Sequence, residues 1–144
     1  MTELTDYFPG LRNSPFEITS NKSRKYNCIA WAAGDDKHVW WPDRFFTGYW
    51  PPNAPRNETI DAFINAFQTL GYSICQDGDY EPNFIKIAIF VDSSGSPTHA
   101  ARQEPNGMWT SKCGSLEDIQ HDLYALCGQD PAYGSVACYM KKPI

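Results

Sequence analysis

The chain has 144 residues, 20% of them charged, with a net charge of −5 and 15% aromatic side chains. That length is one domain with room for a single core, and the acidic balance excludes the basic footprint of a nucleic-acid binder. Nowhere does an apolar run approach membrane-spanning length, and the opening Met-Thr-Glu-Leu-Thr-Asp-Tyr lacks the basic and apolar stretches of an export signal. The expected setting is cytoplasmic, or delivery from the cell without a cleaved signal, with no membrane and no nucleic-acid partner. The five cysteines (Cys28, Cys75, Cys113, Cys127 and Cys138) are odd in number, spread out, and free of zinc-ligand spacing, so no disulfide scaffold, metal or cofactor is expected.

Residues 1–24 are polar and turn-rich, broken at Pro9-Gly10, Asn13-Ser14-Pro15 and Ser20-Asn21, which predicts a loosely structured lead-in. Residues 25–34 read as one short helix, with Asn27 as N-cap, an apolar stretch from Ile29 to Ala33, and Gly34 after the last turn. Cys28 then takes the first helical position. Unpaired N–H groups and the positive end of the helix dipole favour a thiolate there, and Arg24 and Lys25 add positive charge. The competing reading is a small hydrophobe in a core.

Trp40-Trp41-Pro42, Phe45-Phe46 and Tyr49-Trp50-Pro51-Pro52 crowd a proline-rich loop that either covers a core or walls a cleft. Asn57 as N-cap, with Ile60, Phe63, Ile64, Phe67 and Leu70 at helical spacing, predicts an amphipathic helix ending at Gly71. Residues 72–75 and 85–91 read as strands. The turn Asp92-Ser93-Ser94-Gly95-Ser96-Pro97 leads into residues 98–103 and then 108–113, an antiparallel meander with His99 in its middle strand. The acids Asp77, Asp79 and Glu81 lack the rest of a calcium loop and read as solvated. Ser115-Leu116-Glu117-Asp118 opens a further predicted helix with Ile119, Leu123 and Leu126 on its stripe, and residues 135–141 form a last strand. Elements grouped by type predict an α+β domain with its helices against one side of an antiparallel sheet.

In such a fold the Cys28 helix can abut the sheet where the His99 strand passes. His99 would take the thiol proton, the Cys28 backbone N–H would hold the oxyanion of an acyl intermediate, and water or an amine would resolve the thioester. A third residue belongs on the next strand, to hold the imidazole. A plain four-residue loop puts Thr110 and Lys112 on the His99 face, whereas one bulge brings Ser111 there, and Ser111 is the expected member. Gln103, two residues beyond His99, is a reserve for that place or an oxyanion donor. Asn27 reads first as the helix cap; with Trp31, Trp40, Trp41 and Gln103 it makes up the expected substrate-binding set. His121, beside Asp118 at helical spacing, and His38, in a charged turn, are expected at the surface.

A cysteine opening an early helix, followed by a histidine on a later antiparallel strand, resembles the papain-like superfamily in its compact forms, the NlpC-like and CHAP amidases. The strings Tyr26-Asn27-Cys28-Ile29-Ala30-Trp31-Ala32, Trp40-Trp41-Pro42, Tyr49-Trp50-Pro51, Lys86-Ile87-Ala88-Ile89, Thr98-His99-Ala100-Ala101-Arg102-Gln103, Trp109-Thr110-Ser111-Lys112 and Glu117-Asp118-Ile119-Gln120-His121 resemble a family of largely uncharacterised bacterial domains, from about residue 25 onwards. The resemblance implies one papain-like domain over residues 1–144 and a peptidase, amidase or deamidase that attacks a peptide or protein amide through a Cys28–His99 thioester, without a cofactor. A bacterial effector or toxin, held by an inhibitory partner protein, is compatible with that class. The alternative, from another class, is a non-catalytic binding module in which Cys28 is buried and His99 bonds within the sheet.

Overall fold

Seven antiparallel strands form one sheet in the computed structural model, which describes residues 3–113, 116–129 and 132–144. They are β1 (Phe16–Ser20), β2 (Ser73–Cys75), β3 (Phe84–Val91), β4 (Pro97–Gln103), β5 (Trp109–Lys112), β6 (Asp118–His121) and β7 (Ser135–Pro143), in the spatial order β1-β6-β5-β4-β3-β7-β2. With few helices beside it, the architecture is α+β. β3 lies between β4 and β7, sending Ile87 and Ile89 to one face and Ala88 and Phe90 to the other, all fully buried. Burial on both faces is why this strand reads as an unbroken apolar run.

Helices α2 (Cys28–Ala33) and α3 (Ile60–Gln68) cover the first face, packing with Ile87, Ile89, Ala100 and Met140. α2 begins and ends as its sequence predicts: Asn27 Oδ1 accepts the Ala30 N–H, and Gly34 closes the helix at φ 88°. α3 is capped by Thr59 rather than Asn57. The Thr59 hydroxyl oxygen accepts the Ala62 N–H at 3.2 Å while donating to Asn57 Oδ1 at 2.6 Å.

The second face is covered by the segment expected to be loose. Helix α1 (Glu3–Tyr7) and a 3₁₀ turn at Pro9–Asn13 bury Leu4, Phe8 and Leu11 against Phe90, Ile119, Leu123 and Leu126, and β1 pairs with β6. The lead-in is therefore part of the core, and helical elements lie on both sides of the sheet. Burying three such side chains contributes about 1.5–3 kcal/mol each, which outweighs the turn-rich local preference.

The predicted helix after residue 115 is also corrected. Residues 118–121 are β6, and Leu123–Leu126 is a single 3₁₀ turn; the expected cap, Ser115, lies outside the described residues. β6 pairs with β5 on one side and β1 on the other, so its backbone groups are satisfied by two neighbours, and that pairing overrides local helix propensity. Among the described residues no helix is long and apolar enough to cross a membrane.

Candidate functional site

β4 and β5 pair at Arg102–Thr110 and Gln103–Trp109. Nearer the start of β4, the first residue of α2 takes the place of a strand. Cys28 Sγ donates to the Thr98 carbonyl across 3.9 Å and accepts the Ala100 N–H. Strand N–H and C=O groups lie in the plane of the sheet, so the thiol sits beside the β4 edge, against the residues that flank His99. Cys28 is 6% exposed. Burial pushes its thiol up to about 11, against which the N–H groups of Ala100, Ile29 and Cys28 itself, and the Lys112 ammonium, pull downward. The expected thiolate is thus corrected to a thiol at rest, because desolvation exceeds the dipole and the charges. Arg24 and Lys25 are exposed, and the cation acting on the sulfur is Lys112.

His99 pairs with Phe90 across the β3–β4 ladder, on the face turned away from α2, and is fully buried. Its ring stacks on Tyr133 at 3.9 Å and 7°, with the edge of Phe90 at 5.1 Å. Nε2 lies 2.9 Å from Ser111 Oγ, Ser111 Oγ lies 2.7 Å from His121 Nε2, and His121 Nδ1 lies 2.8 Å from the Asp122 carbonyl. Three adjoining strands hold one line of hydrogen bonds. A carbonyl only accepts, so His121 carries its proton on Nδ1, its Nε2 accepts from the Ser111 hydroxyl, and Ser111 Oγ accepts from His99 Nε2–H. His99 keeps a bare Nδ1 with no partner among the described residues. Burial depresses both imidazoles, His121 to about 4 and His99 well below its usual value with His121 adding to the effect, so both rings are neutral near pH 7.

Ser111 is where a shifted register puts it. Gln103 pairs with Trp109, so the connecting loop has one residue more than a plain four-residue turn, and Ser111 shares the His99 face while Thr110 and Lys112 turn to α2. No hydrogen bond joins Cys28 to His99 among the described residues. A cleft of about 750 Å³, lined in part by Val91, Asp92, Thr98, Gln129 and Gly134, opens beside this seam. Thr98 is the link: its carbonyl takes the Cys28 thiol, and its hydroxyl donates to the Tyr133 carbonyl at 2.6 Å.

Residues 17–141 match a family model described as a domain of unknown function, DUF7689. The chain belongs to this family. No curated protein and no solved structure matches it.

In this DUF7689 domain the remaining predicted site residues are engaged elsewhere. Asn27 caps α2 and bonds to both backbone groups of Trp40. Trp31 donates Nε1 to Thr110 Oγ1 at 3.1 Å and lies under the Arg102 guanidinium at 4.0 Å. Trp40 donates to Asp35, and Trp41 packs edge-on against Phe63, so these two rings cover the core rather than walling the Thr98 cleft, while Phe45 and Phe46 of the same loop are exposed. Gln103 is buried and its amide donates to the Gly78 carbonyl at 2.9 Å, which removes it as a ring holder or oxyanion donor. His38 is exposed and pairs with Asp35, as expected, while Asp77 and Glu81 pair with Lys86 and Lys141.

Sequence reasoning missed three residues of the site. His121 was expected at the surface, yet the alternation Ile119/His121 is a strand signal, hidden by helical spacing in Leu116, Ile119 and Leu123. Lys112 was named only as a register alternative. Tyr133 carries no local signal at all.

Proposed function

We propose that this domain is a cysteine-dependent hydrolase or acyl transferase with papain-like chemistry, acting on an amide bond of a peptide or protein. The observation that supports it most directly is the unpartnered, buried Nδ1 of His99, at the end of a relay next to the edge where the Cys28 thiol sits. On this reading Ser111, whose Oγ lies 2.9 Å from His99 Nε2, is the third residue. In the reaction, Sγ adds to the amide carbonyl carbon as its proton passes to His99 Nδ1. The C–N bond then breaks and that proton leaves with the amine, giving a thioester. Water deprotonated by the same Nδ1 attacks the thioester, the S–C bond breaks, and the acid and thiol are released; an amine in place of water gives transfer. The Cys28 N–H at the helix start faces the developing oxyanion. Catalysis requires the thiol to leave the β4 edge and approach the ring that Tyr133 covers.

A second reading has an observation of its own. Cys28 and His99 are both buried and the thiol is pushed up to about 11, as in a non-catalytic binding module whose cysteine closes a gap in a sheet. Iodoacetamide near neutral pH separates the two. The hydrolase reading expects alkylation of Cys28 ahead of Cys75, Cys113, Cys127 and Cys138, lost in His99→Ala. Slow labelling of Cys28, indifferent to His99, overturns it in favour of the module.

A further inference from the structure

We propose that Thr98 is a positioning residue of this site, whose hydroxyl holds Tyr133 closed over His99; this rests on the reading of Cys28 and His99 as the reacting pair. The β3 residues Phe90 and Val91 pair with His99 and Pro97, so Thr98 is the extra residue of a bulge in β4. In a regular strand Thr98 and His99 would point to opposite faces. Here both reach Tyr133: the Thr98 hydroxyl donates to its carbonyl at 2.6 Å, and the His99 ring stacks on its ring at 3.9 Å. Thr98 also holds the Cys28 thiol, through its own carbonyl. One bulged residue therefore restrains both the sulfur and the cover over the imidazole.

Thr98, Ala132 and Gly134 line the cleft, whereas His99 is fully buried beneath Tyr133. The base of the Tyr133 turn is fixed independently of Thr98. Gly128 and Gly134 exchange backbone bonds at 2.9 and 2.8 Å, and the Tyr133 N–H donates to the Leu126 carbonyl at 3.1 Å. Among the described residues, the Thr98 bond is the one that ties the Tyr133 backbone to the strand carrying His99. A single hydrogen bond is strong enough to keep the closed form in excess and weak enough to break. While it stands, the face of the imidazole is shut off from the cleft; when it breaks, Tyr133 is free to swing aside and the ring is uncovered.

The test is carbethoxylation of histidine by diethyl pyrocarbonate on the full chain near neutral pH, located by mass spectrometry. The parent should react at the exposed His38 and leave the buried His99 and His121 protected. Thr98→Val keeps the shape and loses the hydroxyl, and should label His99 about fivefold or more faster, the worth of one hydrogen bond. Thr98→Ser keeps the donor and should behave as the parent, while Tyr133→Leu removes the stacked ring and should label His99 at least as fast as Thr98→Val. A mere packing defect would loosen the whole relay and bring up His121, joined to His99 through Ser111; release of Tyr133 raises His99 alone. Unchanged labelling of His99 in folded Thr98→Val or Tyr133→Leu, a rise shared by His121, or a Thr98→Ser chain that labels like Thr98→Val overturns the proposal. Should Thr98→Val not fold, Thr98→Ala is read in its place. If Cys28 alkylation ignores His99 while Thr98→Val still bares the ring, the hydrolase reading falls and the cover stands. If alkylation needs His99 and Thr98→Val changes nothing, this proposal alone falls.

Discussion

The carbonyl of Asp122 can only accept, and that constraint runs through His121 and Ser111 to the ring of His99. Burial keeps the two imidazoles neutral, and it has a consequence for stability. Between its ordinary value of 6.5 and about 4, His121 takes up a proton in the unfolded chain but not in the folded one. Since the unfolded state binds more protons there, stability falls as pH drops through that window, by up to about 1.4 kcal/mol per pH unit for one group, with His99 adding in the same sense. Urea midpoints measured at about pH 7, 6 and 5 should decline stepwise, and less steeply in His121→Gln. A profile flat over that range would mean that the rings take up protons as readily in the native state as in the unfolded chain.

α2 has six residues, too few to stand alone in water. It is held by tertiary contacts at both ends. Arg102 donates to the Trp31 carbonyl at 3.0 Å near the last turn. At the first turn one amide does three things: Asn27 Oδ1 accepts from Ala30 at 3.2 Å and from Trp40 at 3.0 Å, and Nδ2 donates to the Trp40 carbonyl at 2.8 Å. Asn27→Ala should cost about 2–3 kcal/mol, more than the ~1 kcal/mol of a cap alone, and Asn27→Ser should recover only the capping part. Denaturant unfolding of the two variants measures this, and equal stability would show that the tie to the aromatic loop contributes nothing. The β4–β5 loop has a comparable influence: the Glu104 N–H donates to the Met108 carbonyl at 2.8 Å, with Gly107 at φ 85°, and this turn puts Ser111 rather than Thr110 beside His99.

Across the whole molecule, burial of the sheet's second face draws on Leu4, Phe8 and Leu11 of the N-terminal segment as well as on Leu123, Leu126 and Tyr133. Removing residues 1–20 strips Leu4, Phe8 and Leu11 from that core and unpairs β6 at its outer edge. The expected loss is about 5 kcal/mol or more, with self-association through the bared strand. Thermal unfolding and size-exclusion chromatography of the truncated chain test it. A monomer melting with the full-length protein would show the segment to be an accessory.

Short-range rules sufficed for the caps of α2, the stripe of α3, the hairpin of β3 and β4, and with them the α+β class, because each depends on residues within a few positions of one another. Tertiary structure alone chose strand over helix at Asp118–His121, since Leu116, Ile119 and Leu123 satisfy the helical period while Ile119 and His121 satisfy the period of two, and only pairing with β1 and β5 breaks the tie. It also chose the face of Ser111, the burial of His121, and the protonation of Cys28. Desolvation and cross-strand pairing are properties of the assembled surroundings. The sequence names the sulfur and the imidazole; the packing around them determines which protons they carry.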